Sequence, residues 1–344
     1  MNSWRIAVLC GGASEEREVS FATAAMVVPA LRELGHLVHV VDTSRGFLTE
    51  AQEAESLARG GALAKSGEWA VRRGPEMFPM ELFRSRSDRQ IDLVFVALHG
   101  GSGEDGTIQG VLELAGIPFT GSGHAASAVC MDKDLSKRLL RGSGIGTPDW
   151  VTIQRGERWD SLGLDYPLVV KPNRQGSTIG LSLVRDSSAL SAALAKAFDF
   201  DDEVMIERFV PGREFTVGVL EGRALAVGEI IIRPDSVFGY DAKYSPGIVF
   251  EKFPADVAPA LARDLRQAAV SAHRVLKLRD YSRADFRLDD AGRIWCLEVN
   301  SLPGLTTSSL LPQSALACGI PFKRLCQRLC ELAMLRITPG SEGR

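Results

Sequence analysis

The chain has 344 residues, with 40 basic and 43 acidic side chains for a formal charge of −3, and is 45% hydrophobic and 24% charged. Those proportions exclude a disordered or fibrous chain, and the length exceeds what one hydrophobic core normally organises, so two or three packed units are expected. The balanced charge leaves no basic stripe for nucleic-acid phosphates and no apolar run reaches membrane-spanning length, so neither nucleic acid nor membrane is an expected partner, and a cytoplasmic location is expected.

Arg5 to Cys10 predicts a short buried strand, Gly11-Gly12 a turn, and the following periodicity a helix to about Leu34, stopped by Gly35. Val38 to Val41 and Ile91 to Leu98 again have strand character, and Ile108, Val111, Leu112 and Ala115 mark one face of a helix. Alternating strand and helix predicts an open, mostly parallel, Rossmann-like sheet for a unit spanning 1–121. Residues 43 to 88 give no usable pattern.

The middle of the chain changes character. Two helical stretches from Ala125 to Arg141 precede strands at Pro167 to Lys171, Ile179 to Val184 and Val204 to Phe209, with a helix from Ser188 to Phe198; this predicts a small α+β unit over 122–211. Strands at Glu214 to Leu220 and Ala224 to Ile232, a polar loop to about Pro254, a helix through Leu278 and a hairpin of Arg283 to Leu288 with Arg293 to Val299 predict a second α+β unit over 212–337. A tail at 338–344 is expected to fray. Cys326 and Cys330 share an apolar helical stripe with Phe322, Leu325, Leu329 and Ala333, so they are read as core residues, not half a metal site.

The phosphate loop of P-loop NTPases, the zinc helix H-E-x-x-H and the serine elbow G-x-S-x-G are all absent. Gly101-Ser-Gly103-Glu-Asp-Gly106 matches a dinucleotide turn formally, but Glu104 and Asp105 would put carboxylates where a pyrophosphate must sit. The hairpin is more informative. Glu298 and Asn300 differ by two and share a face, and cross-strand pairing can bring Asp285 beside them, an oxygen set suited to Mg²⁺; the competing reading is a solvated edge, which the buried look of Trp295-Cys-Leu297 and Val299 weakens. Pro303-Gly304 then turns the chain in a way that can present a backbone N–H. Lys133 and Lys171 are candidate anion ligands, and 173–180 is a polar, glycine-bounded loop that suits either a triphosphate cover or an ordinary turn. Glu16, at the start of the first helix, reads by itself mainly as a helix-dipole partner, and His99 reads equally as a core histidine.

In order and register, G-G-x-S-x-E-R-E-V-S (11 to 20), H-G-x-x-G-E-D-G (99 to 106), G-S-G (121 to 123), M-D-K (131 to 133), K-P (171 to 172), G-S (176 to 177), E-F-T-V (214 to 217), K-Y (243 to 244) and E-V-N-x-x-P-G-x-T (298 to 306) resemble the D-alanine:D-alanine ligases of the ATP-grasp superfamily. The resemblance runs from residue 5 to about 335. It implies an ATP-grasp fold and ATP-dependent joining of two D-alanines through an acyl phosphate, for peptidoglycan, in a homodimer using two Mg²⁺ ions or Mn²⁺. It further implies that Lys133 and Lys171 contact ATP phosphates, that Glu207, Phe209 and Val210 line the adenine pocket and Glu214 holds the ribose, and that Asp285, Glu298 and Asn300 bind metal. Glu16 would bind the first ammonium, Ser177 and Tyr244 would orient the second D-alanine, and Arg283 with the Gly304 N–H would form the oxyanion site. Lys243, Ser309 and Leu310 would lie near the transferred phosphate or second carboxylate, and His99 near the first substrate. Tyr244 argues against an ester-forming relative; a different second substrate such as D-serine, or a nucleotide binder without turnover, are the alternatives. Gln175 departs from an acid common among relatives, and Ser301-Leu302 from the pairs usual before Pro-Gly.

Overall fold

The computed structural model describes residues 3–66, 91–157, 162–232 and 249–336. Lys243, Tyr244 and the tail at 338–344 lie outside them, as do residues 67–88 of the unread stretch.

Strand β1 (Arg5–Cys10) is apolar throughout Ile6 to Cys10 and sits inside a sheet ordered β3-β2-β1-β4, with β2 (Leu37–Asp42) and β4 (Leu93–Val96) parallel to it. Strands buried on both faces need apolar residues at every position, which is why these runs read as continuous and not alternating. Among the described residues only β3 (Gly46–Phe47) runs antiparallel, so the expected mostly parallel sheet is present. Helix α1 (Arg17–Glu33) packs on β1, and α2 (Glu50–Ser66), unread in the sequence, packs on α1. Helix α3 (Thr107–Leu114) follows β4.

Helices α4 (His124–Met131) and α5 (Lys133–Gly142) come next. Helix α5 departs from a hydrophobic-stripe reading, although Leu140 is fully buried. Leu135 and Leu139 are 48% and 45% exposed, whereas Lys133, Ser136 and Lys137 are buried.

Strands β5 (Trp150–Gln154), β6 (Leu168–Pro172), β7 (Ser182–Val184) and β8 (Glu203–Arg208) form an antiparallel sheet ordered β5-β8-β6-β7, backed by α6 (Leu190–Phe198). β7 starts later than the apolar run from Ile179 suggests. Ser177, Thr178 and Gly180 all have positive φ (50°, 58° and 71°), so this segment turns before it can pair.

The last sheet is antiparallel and ordered β11-β10-β9-β12-β13, from β9 (Arg213–Leu220), β10 (Arg223–Ile232), β11 (Val249–Lys252), β12 (Tyr281–Leu288) and β13 (Ile294–Asn300). Helix α7 (Pro259–Val275) covers β9, β10 and β12, while α4 and α5 pack against β13. Two helices that precede the middle sheet in the chain therefore support the last one.

Helices α8 (Leu310–Leu316) and α9 (Phe322–Met334) close the chain. Helix α9 returns to α1 and β4, and Leu325, Cys326, Leu329 and Cys330 join the same apolar cluster as Ile6, Phe21 and Phe95. His36 and Gln327 share a hydrogen bond of 2.8 Å across this contact. Both cysteines are core, as their spacing on the stripe implies.

Candidate active site

The middle and last sheets face a cleft of about 840 Å³, counting the space at its open mouth. Its walls include Lys133 at the start of α5, Lys171 on β6, Ser177 in the following loop, Glu207, Phe209 and Val210 at the end of β8, Glu214 on β9, and Asp285 and Glu298 on the hairpin. Val169, Ile179, Leu181 and Leu297 add apolar surface. An apolar slot bordered by convergent charges is what a heteroaromatic ring bearing phosphates requires.

The charges are organised by strand geometry. Asp285 lies directly opposite Glu298 in the β12–β13 register, and Arg283 opposite Asn300, with a bulge just beyond Asp285. Arg283 is two residues before Asp285 on the same face and forks onto it, Nε to Oδ1 at 2.9 Å and Nη2 to Oδ2 at 2.8 Å. Thr216, the β9 neighbour of Asp285, donates to Oδ1 at 2.7 Å, and Asn300 Nδ2 donates to Oδ2 at 3.2 Å. Lys133 Nζ stands 4.0 Å from Glu298. Among the described residues no cluster of three or more His, Cys, Asp or Glu is placed to hold a metal. The hairpin instead offers two carboxylates and an amide oxygen, hard donors that fit Mg²⁺ and leave its other positions to water and phosphate.

Glu16 shows which of its two sequence readings the fold uses. It stands at the helix N-terminus but makes no side-chain cap. Its Oε1 accepts a hydrogen bond from Ser177 in the loop after β6, and its Oε2, though buried, has no partner among the described residues. Two glycines make room for that oxygen. A Cβ on Gly100 (φ +63°) would lie 2.8 Å from Oε2, and one on Gly176 would lie 2.9 Å away. An unpartnered buried carboxylate oxygen is costly unless a ligand supplies the donor.

Burial holds the Glu16 carboxyl above the usual carboxylate range, against the Ser177 hydrogen bond. Desolvation and the charge of Glu16 push Glu104 up to about 8. Burial lowers Lys133, with Glu298 opposing, and would lower Arg283 too, but Asp285 outweighs it and raises that guanidinium. Carboxylates and cations are thus packed together with too little water, the condition under which a charged substrate is strongly felt.

His99 is buried, its Nε2 2.8 Å from Thr23 Oγ1, and burial with the nearby Arg283 lowers its pKa to about 4. His273, beside Ser282, is lowered to about 4 likewise. Both bind fewer protons folded than unfolded between pH 4 and 6.5, so their stabilisation is complete above 6.5 and is lost as pH falls through that window. For the fully buried His99 the loss by pH 4 is roughly 3 kcal/mol, and for the less enclosed His273 it is smaller. Glu104 and Glu16, raised by burial, act in the opposite sense over the same range, so the test is a comparison: from pH 7 to 4 the urea-unfolding midpoint of the wild type is expected to lose ground relative to His99→Gln, and parallel curves would place His99 in water.

Gly304 and Ser309 are neighbours, since a Cβ on Gly304 would sit 2.9 Å from Ser309 Oγ, which accepts from the Thr306 N–H at 3.1 Å. Leu310 begins α8 and is half-buried. Arg283, Asn300, Gly304, Ser309, Leu310, Glu16 and His99 are not among the cleft-lining residues. Two residues that sequence reading passed over contribute, Arg287 paired with Glu214 at 3.0 Å and Lys137 behind Glu207, and Gln175, noted there only as a departure, accepts from Lys133 through its carbonyl. Strand register could have found Arg287, which is opposite Glu214 in β12–β9; Lys137 and Gln175 have no local signal.

Residues 5–122 match the family model for the D-ala D-ala ligase N-terminus, and 139–331 that for the D-ala D-ala ligase C-terminus. A D-alanine–D-alanine ligase of Syntrophotalea carbinolica is 40% identical over 332 residues, covering 96% of this chain and 97% of the relative. One from Aquifex aeolicus is 39% identical, covering 93% and 98%. Among solved structures, the ligase of Bacillus anthracis complexed with ATP has a TM-score of 0.75 at 31% identity, covering 97% of this chain and 98% of that one. The Coxiella burnetii ligase has a TM-score of 0.77 at 28% identity, covering 98% and 95%. Its sheets, its cleft and its likeness over nearly the whole length agree: the chain belongs to the D-alanine–D-alanine ligase family, with the ATP-grasp fold.

Proposed function

We propose that this chain joins two D-alanine molecules in an ATP-driven ligation that supplies peptidoglycan precursors, by way of an acyl phosphate. The observation that carries the site assignment is the unpartnered, buried Oε2 of Glu16, cradled by Gly100 and Gly176. An ammonium is the donor that this oxygen lacks.

In this reading the cleft holds ATP, with its adenine between Phe209, Val210 and Leu297, its ribose at Glu214, and its phosphates toward Lys133 and Lys171. Glu16 binds the ammonium of the first D-alanine, whose carboxylate attacks the γ-phosphoryl group; the acyl phosphate is then attacked by the second amine and expels phosphate. Most of the acceleration comes from positioning and charge neutralisation. Arg283 and the Gly304 N–H stabilise the oxygen that becomes negative at the tetrahedral centre, and Ser309 with Leu310 borders the second carboxylate. Neutral His99 supports the first substrate's pocket. Mg²⁺, held by Asp285, Glu298 and Asn300, would neutralise phosphate charge. Lys243 and Tyr244 are assigned to the phosphate and, with Ser177, to the second D-alanine. Units at 1–121, 122–211 and 212–337, a cytoplasmic location suited to ATP use, and a homodimer belong to the same reading. Among the described residues no helix is long and apolar enough to cross a membrane.

The test is ADP release by the purified protein with Mg²⁺-ATP and single D- and L-amino acids, with products weighed by mass spectrometry. D-alanine alone should give dipeptide and phosphate. Turnover only with another amine-bearing partner would overturn the second substrate, and no turnover at all would overturn the enzyme.

A further inference from the structure

Lys137 is fully buried on α5, four residues after Lys133, and does not line the cleft. Its ammonium pairs with Glu207 Oε2 and donates to Thr147 Oγ1 at 2.6 Å, 4.8 Å from the centre of the Trp150 ring. Glu207 does line the cleft, and its Oε1 accepts from Lys171 at 3.2 Å. Burial alone would push the Glu207 carboxyl up, but the two lysines outweigh it and hold it below the usual range.

Stability does not account for Lys137. A buried ion pair is commonly matched or bettered by apolar residues of the same volume, and Leu135 and Leu139 of the same helix are left facing water while its lysines are turned inward. The arrangement presents an ionised carboxylate, which can only accept hydrogen bonds, to whatever fills the apolar slot. A 6-amino purine offers a donor there. A 6-oxo purine offers lone pairs and leaves the carboxylate opposed by like charge, the kind of mismatch that sites discriminate well. Lys171 is also the residue assigned to the phosphates, so a bound triphosphate draws it away and leaves Lys137 as the standing counter-ion of Glu207.

Resting on the assignment of Glu207 to the adenine pocket, we propose that Lys137 is a positioning residue that keeps Glu207 ionised and aimed, and so makes the nucleotide site select 6-amino over 6-oxo purines. The test compares kcat and KM for ATP and ITP in the full-length wild type, Lys137→Met, Glu207→Gln and Thr147→Val, with melting temperatures alongside. The wild type should prefer ATP. Lys137→Met should shrink the ATP:ITP ratio of kcat/KM by about tenfold, the worth of one hydrogen bond, through KM for ATP with kcat nearly kept. Glu207→Gln should shrink it similarly. Thr147→Val, which keeps the charge but unties the ammonium, should shrink it by about threefold and gives the answer if Lys137→Met does not fold. A changed melting temperature with the wild-type ratio in Lys137→Met or Thr147→Val, while Glu207→Gln loses the ratio, overturns the role of Lys137 alone. A Glu207→Gln enzyme with the wild-type ratio overturns the adenine assignment itself, and a wild type that uses both nucleotides equally overturns the selection.

Discussion

Glu298→Gln is expected to lower kcat by about 10³-fold, since a metal ligand's contribution to charge neutralisation is several kcal/mol and each 1.36 kcal/mol is tenfold. The fold should be untouched. The Glu298 side chain is 33% exposed, and its nearest cation, Lys133, is 4.0 Å away, a partly open pair of little worth to stability. Circular-dichroism melting should therefore overlay the wild type, whereas Mn²⁺ titration in the presence of a non-hydrolysable ATP analogue, followed by electron paramagnetic resonance, should show weakened binding. Near-normal turnover with unchanged Mn²⁺ binding would remove Glu298 from the metal set and leave it as a mere neighbour of Asp285.

Glu16→Gln should separate activity from stability in opposite directions. Replacing the acid removes the charge that faces the substrate ammonium, a charge-assisted contact worth about 1.5–3 kcal/mol, so kcat/KM for the first D-alanine should fall about 10- to 100-fold, mainly through KM. The same change relieves a buried carboxylate. Because burial raises the Glu16 pKa, the folded chain binds this proton more tightly than the unfolded one. The stability tied to it is present at low pH and is lost as pH rises through the folded value, so Gln should raise the melting temperature at neutral pH. In the wild type, activity should fall as pH drops through that raised value and Glu16 takes up its proton; in the Gln variant that limb should vanish. Equal losses of stability and activity would instead mark Glu16 as a structural strut.

The hairpin was legible because its geometry is local: the turn at Asp289 to Gly292 fixes which residues face each other, and Asp285 meets Glu298 only a short loop away. The Glu16 site was not, since Ser177 lies 161 residues further on and no periodicity links them. Helix α2 went unread for a different reason. Gly60-Gly61 looks like a helix breaker, yet a Cβ on Gly60 would run into the Phe21 carbonyl, so the glycine marks close helix packing. Helix α5 misleads too: Leu135 and Leu139 face water, while Lys133 and Lys137 turn inward with Leu140. Patterns of apolar residues report where water is excluded, and they fail where a ligand is to take water's place.

The return of α9 to the first apolar cluster has a consequence for how the chain is made. While a ribosome adds the roughly 200 residues between the end of the first sheet's segment and this helix, about 10–40 s pass at synthesis rates of about 5–20 residues per second. Throughout that interval Phe21, Leu31 and Phe95 lack the cover of Leu325 and Leu329. A segment made well before its cover is thus among the last to be sealed, and the nascent chain offers a sticky face for chaperones to hold.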